Sequence, residues 1–303
     1  MNNLAKFEDQ ITIDQVQGFD NDYLKMLLDY YADQNDIAIE HNLVSELMAR
    51  YAALSRELDD KNRLLEMYNH HLEELVQKKV AEITRAQVAT IHALVKAAEV
   101  RDNETGAHIE RTSQYCRLLA EKIMLTPKYE HLDRMYPTNI EMAAPLHDIG
   151  KVGITDLILL KPGKLTEQEF EIMKTHTLIG YNTLKSVDEM YPGNDWIKIG
   201  MDIALNHHEK WDGSGYRSGL QGEEIPLAGR IMALSDVYDA LRAKRVYKPP
   251  FSHEKAMGIM LEGRGTHFDP FLFDIVTEYQ YEFKNIFEEL TLKIEGVDAL
   301  TPN

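Results

Sequence analysis

The residues in this chain most able to do chemistry are His147-Asp148, His176, His207-His208 and Asp236, preceded by Glu104 and His108. Imidazole nitrogens and carboxylate oxygens are the donor set for iron, manganese, nickel or zinc, and a carboxylate can bridge two ions. The chain has one cysteine, Cys116, so thiolate ligation is not the scheme. Adjacent His-Asp and His-His pairs within apolar stretches are poorly explained by packing. Two ions held close together suit attack on a phosphodiester, because they acidify a water and neutralise the phosphoryl oxygens. Any one histidine alone is more often a core or surface residue. His41, His70, His71, His92, His131, His253 and His267 are read that way.

These side chains need elements to position them. From about residue 95 onward, helical patterns alternate with Gly/Pro loops and there is little strand-like alternation, so residues 95–303 are expected to form an all-α domain. Glu104 and His108 stand four apart and share a face at a helical start. His147 and Asp148 are expected at the end of an apolar helix through Met142, before Gly150. Thr166 and Glu169 form a capping box opening a helix through Lys174 to Leu184, with His176 in its middle. His207-His208-Glu209 close a helix from Asp195 to Asn206, and Asp236 lies in a helix from Leu227 to Leu241. Asp269-Pro270 opens a further helix.

Residues 1–94 are of another kind. Between Gly18 and Gly106 there is neither glycine nor proline, which predicts helix. Leu47, Tyr51, Leu54, Leu58, Leu65, Tyr68, Leu72 and Leu75 follow steps of four and three, broken only by Lys61. This seam predicts a coiled coil over about 44–90 and a homodimer through it; a long amphipathic helix packing on its own domain is the alternative. An earlier cluster, Tyr23, Leu24, Met26, Leu27, Leu28 and Tyr30, predicts a helix packing back on the long one.

Composition removes several classes. With 44% hydrophobic and 27% charged residues in 303, the chain can bury a core. A net charge of -17 argues against nucleic-acid polymers, whose phosphates need a basic footprint. No stretch is apolar enough to cross a bilayer, and the polar start lacks a signal-peptide core. With the lone Cys116 expected as a small buried residue, a cytoplasmic setting follows.

The run His147-Asp148-Ile149-Gly150-Lys151, followed by His207-His208-Glu209-Lys210-Trp211-Asp212-Gly213-Ser214-Gly215-Tyr216, resembles the HD-GYP family. This is a branch of the HD metal-dependent phosphohydrolases that degrades the second messenger cyclic di-GMP. The likeness runs from about Glu99 to Pro270 and takes in Arg101 to His108, Lys161 to Thr166, Met173 to His176, Ala228 to Ile231, Asp236 to Leu241, Arg245 to Lys248 and Phe268 to Pro270.

The resemblance implies metal ligation by Glu104, His108, His147, Asp148, His176, His207, His208 and Asp236, with Asp148 as the bridge. It implies two or three divalent ions, of iron or alternatively manganese; Glu104 and His108 equip the chain for the third. His147, Asp148 and Lys151 are implied as catalytic. Lys151, Tyr216, Arg245 and Lys248 are implied at the substrate, and Asp102 and Asp239 as groups orienting ligands or substrate. The implied reaction is attack of a metal-bound hydroxide on cyclic di-GMP to give pGpG, with cleavage onward to GMP open. A weakly catalytic cyclic di-GMP receptor signalling through its coiled coil, or an HD phosphohydrolase of another nucleotide, are the alternatives. The motif's Gly-Tyr-Pro is Gly215-Tyr216-Arg217 here, which bears on loop shape and on the contacts with diguanylate cyclase domains implied for the family.

Overall fold

The structure is a computed structural model describing residues 38–99, 106–243 and 250–298. The Tyr23 to Tyr30 cluster, Asp102, Glu104, Arg245 and Lys248 lie outside the described residues. The chain divides into two units, Met1–Ala81 and Glu82–Asn303.

Without a breaker, the N-terminal stretch forms one helix, α1 (Ala38–Glu99). Pairs at i,i+4 line it, Glu46 to Arg50 and Glu57 to Lys61, each at 2.7 Å. Its heptad residues are exposed: Leu54 at 67%, Leu58 at 59% and Leu65 at 58%.

The second unit is helical, as the alternation of apolar patterns and loops predicts. Its elements are α2 (Gly106–Ile123), α3 (Tyr136–Ala143), a 3₁₀ helix (Ala144–Gly153), α4 (Asp156–Leu159), α5 (Glu167–Lys174), α6 (His176–Met190) and α7 (Asp195–Asn206). After a short 3₁₀ turn (Gly222–Glu224) come α8 (Leu227–Arg242), α9 (His253–Glu262), α10 (Pro270–Glu278) and α11 (Gln280–Asp298). The one β-bridge among the described residues joins Arg264 and Phe268. A large apolar cluster gathers Tyr115, Ile140, Ile203, Met232, Tyr238 and Phe283 from five helices. A smaller one gathers Val95, Ile109, Leu146, Leu184, Ile197 and Ala204. Cys116 is fully buried, and burial pushes its thiol up to about 12.

Local rules hold where a cap decides them. Thr166 and Glu169 close the capping box that starts α5, and Asp269 accepts from the Phe271 and Leu272 amides to start α10. Two expectations are corrected. His147 and Asp148 do not end an α-helix; they sit inside the 3₁₀ helix, which Pro145 opens. Its three-residue turn eclipses side chains at i and i+3, setting the Lys151 ammonium 2.8 Å from Asp148. His176 is not mid-helix either. Thr175 bonds Ile172 O through both its amide and its hydroxyl, at 3.0 and 2.6 Å, and this local competition breaks the helix. His176 therefore begins α6.

Helix α6 packs on α7 and on the 3₁₀ helix. The approach is close enough that a Cβ on Gly150 would stand 1.9 Å from His176 O and 2.5 Å from Gly180 N. Only glycine fits there. Gly150→Ala is expected to cost about 3 kcal/mol or more by overpacking. Gly258→Ala, in open space on α9, should add about 0.5 kcal/mol through helix propensity. Urea unfolding of the two variants checks the contrast.

Candidate metal centre

Helix ends, a 3₁₀ turn and one helix interior deliver the polar cluster. His108 comes from the first turn of α2, His147 and Asp148 from the 3₁₀ helix, His176 from the start of α6, His207 and His208 from just beyond α7, and Asp236 from α8. Except for the half-buried His208 and Asp236, all are buried. Their ligand atoms form two groups, each within 4.8 Å: Asp148, His176, His207 and His208 in one, and His108, His147 and Asp236 in the other. The rings run in sequence, with centroids 5.5 Å apart for His108 and His147, 5.4 Å for His147 and His207, and 5.3 Å for His176 and His208.

The tautomers follow from the partners. Nδ1 of His147 lies 2.9 Å from Ala144 O, that of His176 2.8 Å from Met173 O, and that of His207 3.0 Å from Ile203 O. A carbonyl only accepts, so each Nδ1 carries the proton and each Nε2 presents a lone pair. Those lone pairs point at Asp148. Its Oδ1 is 3.2 Å from His176 Nε2 and 3.6 Å from His207 Nε2, while Oδ2 is 3.3 Å from His147 Nε2. The buried Asp148 Oδ1 and the Nε2 atoms of His176 and His207 make no hydrogen bond among the described residues. Buried polar atoms without partners are costly, and acceptors facing acceptors repel. A cation between them resolves both, so the residues present fit a metal. The two oxygens of Asp148 face different groups, which is the arrangement a bridging carboxylate needs.

Charge in the site is balanced locally. Burial raises the Asp148 carboxyl, but the adjacent Lys151 ammonium is the largest opposing influence and the carboxyl lies well below the usual range. Burial lowers the imidazoles of His207 and His208. Tyr216 lies against His208, ring centroids 4.6 Å apart, and burial raises its phenol so that it stays a donor.

Asp239 is fully buried behind the cluster. One oxygen is 2.8 Å from His108 Nδ1, and the Arg111 fork spans both. It therefore orients the His108 ring and presents no exposed surface; its own carboxyl is raised by burial but lowered further by Arg111 and His108. This is the carboxylate–histidine pairing that fixes a metal ligand's tautomer.

Sequence reasoning missed Arg111 and gave Glu209 no role beyond its place in the motif. Arg111 stands three residues after His108 on the same helix face, the only signal available. Glu209 is buried at 2% exposure, and its Oε1 accepts from Ser218 N at 2.7 Å. It holds the loop in which Arg217 adopts φ 132°, a conformation closed to proline.

A family model described as "HD domain" matches residues 62–272, beginning inside α1 and earlier than the resemblance at Glu99. A probable cyclic di-GMP phosphodiesterase of Vibrio cholerae serotype O1 is 49% identical over 222 residues, covering 72% of this chain and 50% of that protein. A cyclic di-GMP phosphodiesterase of the same organism is 50% identical over 205 residues, covering 67% and 41%. Its 3'3'-cGAMP-specific phosphodiesterase 2 is 38% identical over 236 residues, covering 77% and 43%. The chain spans about half or less of the length of these relatives. No described helix is long and apolar enough to cross a membrane.

Depressed histidines have a stability signature. Below about pH 6.5 the unfolded chain takes up protons that the folded His207 and His208 refuse. Stability of chelator-treated protein should therefore fall as pH drops from about 7 toward 5. Urea denaturation across that range measures the slope, which His207→Gln should flatten.

Proposed function

The chain belongs to the HD domain family, and on that footing we propose that it is a metal-dependent phosphodiesterase opening cyclic di-GMP to pGpG, with onward cleavage to GMP open. The reading rests on one observation above the rest: histidine lone pairs and both oxygens of Asp148 converge in a buried site. The relatives named for cyclic di-GMP turnover support the substrate.

His176, His207, His208 and Asp148 would hold one ion and His147, Asp236 and Asp148 a second, while His108, grouped with His147 and Asp236, would join Glu104 at a third. The nitrogen and oxygen donors suit iron, and manganese next. When bound, the ions acidify water and neutralise developing charge on the phosphoryl oxygens. Lys151 keeps Asp148 ionised and is proposed to bring its positive charge to a phosphate oxygen. Tyr216, held protonated, donates to substrate at the cluster's edge. Arg245 and Lys248 are proposed as the phosphate clamp, where an arginine fork and a lysine point charge suit two phosphates. Asp102 is proposed to orient ligands. Residues 95–303 form the proposed catalytic domain and 1–94 the helical region before it.

The exposed seam on α1 is proposed to bury itself against a second copy. Diguanylate cyclase domains are proposed as partners only through contacts that tolerate a changed loop, because Arg217 stands at a φ proline cannot reach.

His147→Ala with Asp148→Ala should reduce turnover of cyclic di-GMP to the uncatalysed background, followed by chromatography of pGpG and GMP. Ordinary rates in that double variant, or wild type that binds the dinucleotide without consuming it, would reject the assignment. Leu58→Lys with Leu65→Lys should convert a dimer to a monomer by light scattering; a wild-type monomer across micromolar concentrations would reject the paired helix.

A further inference from the structure

We propose that Phe170, Tyr216 and Lys174 form a guanine-binding subsite beside the metal cluster, an inference that rests on the nucleotide-hydrolase reading above. Phe170 and Lys174 stand four apart on α5 and so share a face. That face meets the loop after α7. The Phe170 and Tyr216 rings pack edge to face, with centroids 5.8 Å apart and planes at 76°. The Lys174 ammonium lies 5.1 Å from the Phe170 ring centre and 5.5 Å from that of Tyr216, held by Glu171 at 2.6 Å. On its other side Tyr216 lies against His208.

A phenylalanine beside a buried polar cluster would ordinarily be covered, yet Phe170 is 42% exposed. Its open ring surface belongs to an aromatic pair that reaches the ligand set through one tyrosine. An aromatic face next to a phosphodiester site is what a nucleobase stacks on, and such stacking tolerates any base. The ammonium supplies the discrimination. Guanine offers two acceptors, N7 and O6, on one edge, where adenine offers one acceptor and a donor amino group. A lysine has only donors, so it favours guanine. Phe170 and Tyr216 thus bind the base and Lys174 selects it.

Calorimetric titration of the full metal-loaded chain with GMP, AMP and ribose 5-phosphate tests this, with metal content measured to show the cluster intact. Phe170→Ala should weaken GMP roughly tenfold and leave the baseless ribose 5-phosphate unchanged, and Phe170→Trp should restore GMP. Lys174→Met should erase the preference for GMP over AMP. A Phe170→Ala variant that binds GMP like wild type, or that weakens GMP and ribose 5-phosphate equally, overturns the subsite. The two readings fail separately. Wild type that hydrolyses cyclic di-GMP with an unchanged KM in Phe170→Ala loses the subsite alone. Phe170-dependent GMP binding without cyclic di-GMP hydrolysis keeps the subsite and removes the phosphodiesterase.

Discussion

Lone pairs turned toward one another inside a protein repel unless a cation stands among them. The second unit is organised around that constraint. Nε2 atoms of buried histidines face a buried carboxylate at 3.2 to 3.6 Å, and the opposite edge of each ring is anchored to the main chain. The anchors are local, each a carbonyl three or four residues earlier. Helix ends and 3₁₀ turns leave such carbonyls available. This gives a physical reason for ligands to cluster where helices begin, end or tighten.

Close approach of the backbones makes the convergence sufficient. Gly150 lets the 3₁₀ helix touch α6 at the His176 carbonyl, bringing Asp148 and His176 together from different elements. The 3₁₀ geometry also sets Lys151 over Asp148. Behind His108, the Arg111–Asp239 pair is fully desolvated. Breaking such a pair by removing one partner costs several kcal/mol, so its position resists change and fixes His108 with it.

The loop after α7 brings Tyr216 to the edge of the cluster. Its Trp211 and Asp212 amides bond the His267 and Thr266 carbonyls at 3.1 and 2.9 Å. Arg230 donates to Asp269 at 2.6 Å and lies 5.8 Å from the Trp211 ring. Glu209 secures the far end through Ser218. Between these anchors, Tyr216 is held against His208, and the strained φ of Arg217 is sustained by the contacts on either side.

Much of this was legible in residue order because the signals are local. A breaker-free, heptad-patterned stretch specifies a long helix, Thr166 and Glu169 specify a helix start, and Asp195 to Asn206 is bounded by its own chemistry. Histidines and carboxylates at motif spacing specify a donor set. What residue order could not supply was the 3₁₀ form of 144–153, the break at Thr175, the pairing of Asp239 with Arg111, and the aromatic pair joining Phe170 to Tyr216. These depend on contacts between segments far apart in sequence and on hydrogen bonds chosen among competing partners. Residue order alone settles which atoms are available to bind a cation. Which way they point is set by the folded chain, because direction comes from packing between elements.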